Sequence, residues 1–158
     1  MIKALFDPEG RIGPDDFLKS SLILVVIGAI FSLLPLATTS MWLSFVSLVV
    51  VYPWAVIWIK RLHDAGKPGW MFLIVFALWV IVILTASHFI TAEFAGDMGP
   101  TPKDFSAAMA WGMARAQVVA IPNAIASSIL ALLFALAGNV FLKSDPEPNA
   151  YDPDPHMR

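Results

Sequence analysis

The sequence predicts an all-α integral membrane protein: four transmembrane helices, a short interfacial helix between the third and the fourth, and an extended C-terminal tail. Three observations carry this expectation. Of the 158 residues 58% are hydrophobic and only 14% charged, with a mean hydropathy of +0.75. A soluble domain carries about 25% charged residues, so this chain has too few to clothe a surface in water. The charges are also segregated, because residues 20–59, 68–92 and 116–142 contain no Asp, Glu, Lys or Arg. Finally, these runs have the right length: about 20 apolar residues, rising about 1.5 Å each, cross a hydrocarbon layer of about 30 Å.

The elements follow in order. Gly13-Pro14-Asp15-Asp16 reads as a helix start, with proline at the first helical position and acids at the positive end of the macrodipole. Lys3, Asp7, Glu9 and Arg11 precede an apolar run too long for a signal core, so a cleaved signal peptide is not expected. The uncharged run 20–59 is too long for one helix and predicts two, at 18–36 and 41–59, turning at Pro35-Leu36-Ala37-Thr38-Thr39-Ser40. Lys60 and Arg61 then suit the negative end of the second helix. Gly66 caps it, Pro68 cannot continue it, and Trp70 falls at the headgroup level. The third span is expected at 70–89. Gly96-Asp97-Met98-Gly99-Pro100 breaks any helix, and Thr101-Pro102-Lys103-Asp104 reads as a new start with threonine as cap. Phe105, Met109 and Met113 recur at helical spacing, as in a short helix on the outer leaflet or an extension of the fourth span, and the stripe reads as a packing face. The fourth span is expected at 118–142. Prolines at 146, 148, 153 and 155 and four acids deny the tail regular structure of its own, so it reads as an extended or disordered segment, with a partner as one source of order. The chain thus divides into a transmembrane domain, 1–143, and a tail, 144–158.

Orientation follows from the cations. Lys3, Arg11, Lys19, Lys60, Arg61, Lys67, Lys143 and Arg158 fall on one face, against Lys103 and Arg115 on the other. Eight against two places both termini and the loop after the second span in the cytoplasm.

The chemistry is sparse. The chain has no cysteine, and His63 and His88 are expected at opposite ends of the bundle, so no metal site is predicted. No phosphate-cradling loop, nucleophile elbow or paired-histidine helix is present. No cofactor and no nucleic-acid partner are expected. No ionisable residue lies mid-span, which argues against ion-coupled transport. Pro122 should kink the fourth span, with Asn123 stapling the freed backbone or bonding across to another helix. Ala120, Ala124, Ser127, Ala131, Ala135 and Gly138 give that span a small-residue face, along which helices of one chain or of two pack closely.

The stretch Lys60-Arg61-Leu62-His63-Asp64-Ala65-Gly66-Lys67-Pro68-Gly69-Trp70 gathers the charge. Most of it reads as a cytoplasmic turn in which Lys60 and Arg61 pair with Asp64. It also carries a resemblance. Gly10-Arg11-Ile12 before the first span, Arg61-Leu62-His63-Asp64-x-Gly66-x-x-Gly69-Trp70, and Asn139 with Asp145-Pro146 after the fourth are similar to the motifs of the domain of unknown function 805 family of small bacterial inner-membrane proteins. Leu18, Pro14, the spacing from Asn139 to Asp145 and the long outer loop depart from its pattern. The resemblance implies four membrane helices with the motifs together on one cytoplasmic face, and it supplies no catalytic residue. A turn does not demand His63-Asp64. Arg11, Arg61, Asp64 and Asp145, from three segments, are therefore expected to form an ion-pair cluster that ties the N-terminal arm, central loop and tail together. The sequence favours a non-catalytic scaffold or accessory subunit that packs against a membrane partner or a second copy within the bilayer. The alternative is a small uncoupled transporter or lipid-binding protein, marked by a cavity near Asn123. An enzyme built on Arg61, His63 and Asp64 ranks third.

Overall fold

The computed structural model describes residues 6–37 and 48–151. Four helices follow one another: α1, Pro14–Ala37; α2, Val51–Asp64; α3, Phe72–Ala95; and α4, Phe105–Phe141. Among the described residues there is no strand. α1 begins at Pro14 as the sequence predicts, with the Phe17 N–H bonded to the Gly13 carbonyl at 2.9 Å. It runs through Pro35 to Ala37. The turn expected beyond it, and the start of the second span at 41–47, lie outside the described residues.

Among the described residues, three stretches are long and apolar enough to cross a membrane: 14–34, 69–98 and 105–141. α2 itself, with 14 residues, rises only about 21 Å and does not qualify alone. Two further boundaries differ from expectation. α3 continues to Ala95, six residues past the predicted end, because nothing before Gly96 breaks it. The separate interfacial helix does not form. Residues 105–117 are alanine-rich and lack proline, so they join the fourth span in one 37-residue helix. Its cap is Asp104 rather than Thr101, and the Asp104 carboxylate accepts from the Ala107 N–H at 2.9 Å.

α4 packs mainly against α1 and α3, and the short α2 wedges its aromatic side chains in at one end. There, rings from all four helices touch. Phe17 meets Trp58 edge-on at 5.0 Å, Trp58 lies 5.4 Å from Phe134, Trp54 lies 5.4 Å from Phe72, and Trp79 lies 5.5 Å from Phe134. Phe17, Ile57, Trp58, Leu62 and Ala135 are buried. The outward faces are apolar: Leu22, Val26 and Ile30 on α1, Leu73, Ile81 and Leu84 on α3, and Ile121, Ile125, Ile129 and Leu133 on α4 are all exposed. Three charged side chains, Lys60, Arg61 and Asp64, are buried, while the other described charges apart from Arg115 lie near the helix ends and in the connections. This inversion is consistent with a membrane protein.

Candidate functional site: a three-segment junction

The charged motif is the end of a helix, not a loop. Arg61, His63 and Asp64 lie in the last turn of α2, and the helix closes in a Schellman arrangement. The Gly66 N–H bonds to the His63 carbonyl at 3.0 Å and the Lys67 N–H to the Leu62 carbonyl at 2.8 Å. Gly66 takes φ +66°, which disfavours a side chain. The start of α1, the end of α2, the start of α3 and the end of α4 all converge here.

Asp64 is the hub. Its Oδ1 pairs with Arg11 at 3.2 Å, and its Oδ2 accepts from Arg61 and, at 2.5 Å, from the Ser144 hydroxyl. Its backbone carbonyl accepts the Asp145 N–H at 2.7 Å. Arg61 is 1% exposed. Beyond Asp64 it donates to Ser144 Oγ at 3.1 Å and to the carbonyls of Leu142 and Asn139 at the C-terminus of α4. A cation there satisfies orphan carbonyls and complements the helix dipole.

Arg11 bridges to the tail through backbone. Its guanidinium donates to the Asp145 and Glu147 carbonyls, the latter at 3.2 Å. The Ile12 N–H reaches the Lys60 carbonyl at 3.4 Å. His63 Nδ1 lies 3.2 Å from the Gly10 carbonyl, and the ring stacks on Tyr151 at 3.9 Å with an interplanar angle of 1°. Asn149 Nδ2 donates to the His63 carbonyl at 3.1 Å. A Cβ on Gly69 would stand 3.0 Å from His63 Nε2, so the glycine makes room for the imidazole.

The predicted cluster therefore forms, with one correction. Asp145 joins through its main chain. Among the described residues its carboxylate makes no ion pair, and Oδ1 accepts the Glu147 N–H at 3.1 Å instead. Pro146 is exposed, and Trp70 stands 63% exposed outside the junction. The tail up to Tyr151 is held by contacts with its own chain. Sequence reasoning missed Ser144, Asn149, Tyr151 and the Leu142 carbonyl. Only Tyr151, a lone aromatic in a proline-rich tail, offered a signal.

The second group of predicted residues also resolves. Ala124 and Ala135 are buried, and the Ser127 and Ser128 hydroxyls return to the Ala124 carbonyl, so much of the small-residue face is spent within the chain. A Cβ on Gly138 would stand 2.3 Å from the Trp58 ring, so this glycine seats the indole. The helix continues across Pro122. Asn123 does not staple it: the amide bonds to no described residue and borders a groove of about 340 Å³ with Ser32, Ser87, Ala120, Ser127 and Ile83. Ala131 lines an adjoining groove of about 330 Å³ with Trp54 and Trp79. No group of three or more potential metal ligands occurs among the described residues.

One end of each of the four helices, with the motif-bearing segments, thus meets in one polar knot beneath apolar helices. Residues 5–153 match the family described as "Protein of unknown function (DUF805)", and the chain belongs to that family. No curated protein and no solved structure is detectably similar to it.

Proposed function

We propose that this chain is a non-catalytic, multi-pass protein of the bacterial inner membrane, a scaffold or accessory subunit of a membrane complex. In this reading it crosses the bilayer four times, with α2 as the inner part of the second crossing and both termini in the cytoplasm. The observation that carries the proposal is the use to which the charged motif is put. The motif is engaged within the chain: the Asp64 carboxylate by two guanidiniums and a hydroxyl, Arg61 by the end of α4, and His63 by the Gly10 carbonyl at Nδ1 and by the Tyr151 ring on its face. The tail lies across them, through Ser144 on Asp64, Asn149 on the His63 carbonyl and Tyr151 on the His63 ring. Three chain segments fixed at one membrane face form a platform, and the long apolar faces of α3 and α4 remain for a partner. Extraction from native membranes into detergent-free lipid discs tests this, with a second membrane protein expected to co-purify in fixed ratio. Recovery of the chain alone, from every fraction, removes the scaffold reading.

The groove at Asn123 favours a second reading as a lipid- or amphiphile-binding protein. An amide bonded to no described residue, in a groove walled by alanines, isoleucines and three serines, gains from a ligand that supplies a donor or acceptor together with hydrocarbon. Asn123→Leu should then abolish retention of a specific lipid through purification, and it should leave the protein partner bound if the first reading holds.

A further inference from the structure

We infer that the floor formed by Arg11, Arg61, His63 and Asp64 is a recognition surface for a proline-alternating peptide that bends after its serine and turns at its aromatic end. The chain's own tail occupies it in cis, and a segment of like chemistry from a cytoplasmic partner would take its place. The inference deepens the scaffold reading and rests on it.

The tail itself is the template. Two of its contacts are read through carbonyls of residues that precede proline. Arg11 takes the Asp145 and Glu147 carbonyls, and these residues precede Pro146 and Pro148. Proline biases the residue before it toward the extended region, so the two carbonyls are spaced and aimed before binding. Proline also has no N–H, and the segment needs few donors: the Asp145 N–H goes to the Asp64 carbonyl and the Glu147 N–H to Asp145 itself. Side chains then set the register. Ser144 lies on Asp64, Asn149 on the His63 carbonyl, and the Tyr151 ring on the His63 imidazole. The pattern recognised is Ser-x-Pro-x-Pro-Asn-x-aromatic, read by a guanidinium fork and an imidazole plane.

The hold is of a kind that exchanges. None of residues 143–151 is buried, whereas Arg61 and Asp64 beneath them are. The segment thus brings no apolar anchor into the core, and each of its polar contacts is one that another peptide can reproduce. Beneath the floor, Phe17, Trp58 and Leu62 are buried, and none of them belongs to the tail.

The test uses the full chain in lipid discs and a fluorescent peptide of residues 144–151, Ser-Asp-Pro-Glu-Pro-Asn-Ala-Tyr. Because a tethered tail competes at an effective concentration on the order of millimolar, the receptor carries Pro148→Ala and Tyr151→Ala, which weaken the tail and leave the floor intact. Saturable binding is expected, at least tenfold tighter than to the chain with its native tail, and lost when both peptide prolines become alanine. Arg11→Gln in the receptor should abolish it. Absence of saturable binding, or equal binding of the proline-free peptide, overturns the inference. A spin-label pair at Lys67→Cys and Ala150→Cys, possible because the chain has no cysteine, keeps the two readings apart. A single short distance in the peptide-free chain upholds the junction whatever the peptide does, and a broad long distribution there removes the junction itself.

Discussion

At the scale of the residue, Asp64 and Gly138 decide most. Asp64 lies between two guanidiniums, one of them almost wholly buried. Removing one member of a buried ion pair typically costs about 3–5 kcal/mol, because the charge left behind is uncompensated. Asp64→Asn should therefore destabilise the protein by about 3 kcal/mol and release the tail to protease in native membranes. Unchanged cleavage would dismiss the hub role. Gly138 poses a different problem, one of space. Because a methyl group would collide with the Trp58 ring, Gly138→Ala should cost about 1–3 kcal/mol, as overpacking does. Trp58→Phe in the same chain should recover part of that loss, which a double-mutant cycle on melting temperature measures. Additive losses would mean that the two side chains do not meet.

At the scale of the element, α4 shows how a boundary depends on one cap. The Ser106 hydroxyl first, and then the Ala107 N–H, hold the Asp104 carboxyl below its ordinary pKa. A carboxylate whose pKa is depressed on folding adds stability that is complete above the unfolded value and disappears as pH falls through the folded one. The first turn of α4 should hence fray only in acid, below the ordinary carboxylate range, and amide exchange at Ala107 and Ala108 should accelerate there. Asp104→Asn, a good cap that does not titrate, should remove the pH dependence and keep the turn. Persistence of the acid fraying in Asp104→Asn would assign it to another group. The long α4 was half visible in the sequence. Its apolar run was plain, but the Thr-Pro start suggested a break that the alanine-rich stretch does not need.

At the scale of the whole molecule, the proposed orientation makes the two ends of the bundle chemically distinct. The junction end gathers the buried charge. The far end carries the loop 96–104, tied down by the Trp111 indole donating to the Met98 carbonyl at 3.2 Å, with Arg115 4.9 Å above the same ring. Single cysteines at Lys67 and Lys103 should accordingly react with impermeant reagents from opposite sides of the membrane, Lys67 from the cytoplasm. Labelling of both from one side would undo the topology.

Two properties follow from composition and order alone. The helices are apolar because residues 20–59, 68–92 and 116–142 carry no charge, and the motifs gather at one end because each borders such a run. Periodicity and turn chemistry could also place Gly66 as a cap, since a Schellman ending is a local matter. The tertiary structure decided which atoms meet. It put Asp145 in the junction through its backbone instead of its carboxylate, seated Trp58 on Gly138, and laid Tyr151 on His63. Contacts of this kind join residues 80 to 134 positions apart, and main-chain carbonyls look alike in every sequence. Only the packing of α1, α2 and α4 around one aromatic core brings the right ones within reach of two arginines.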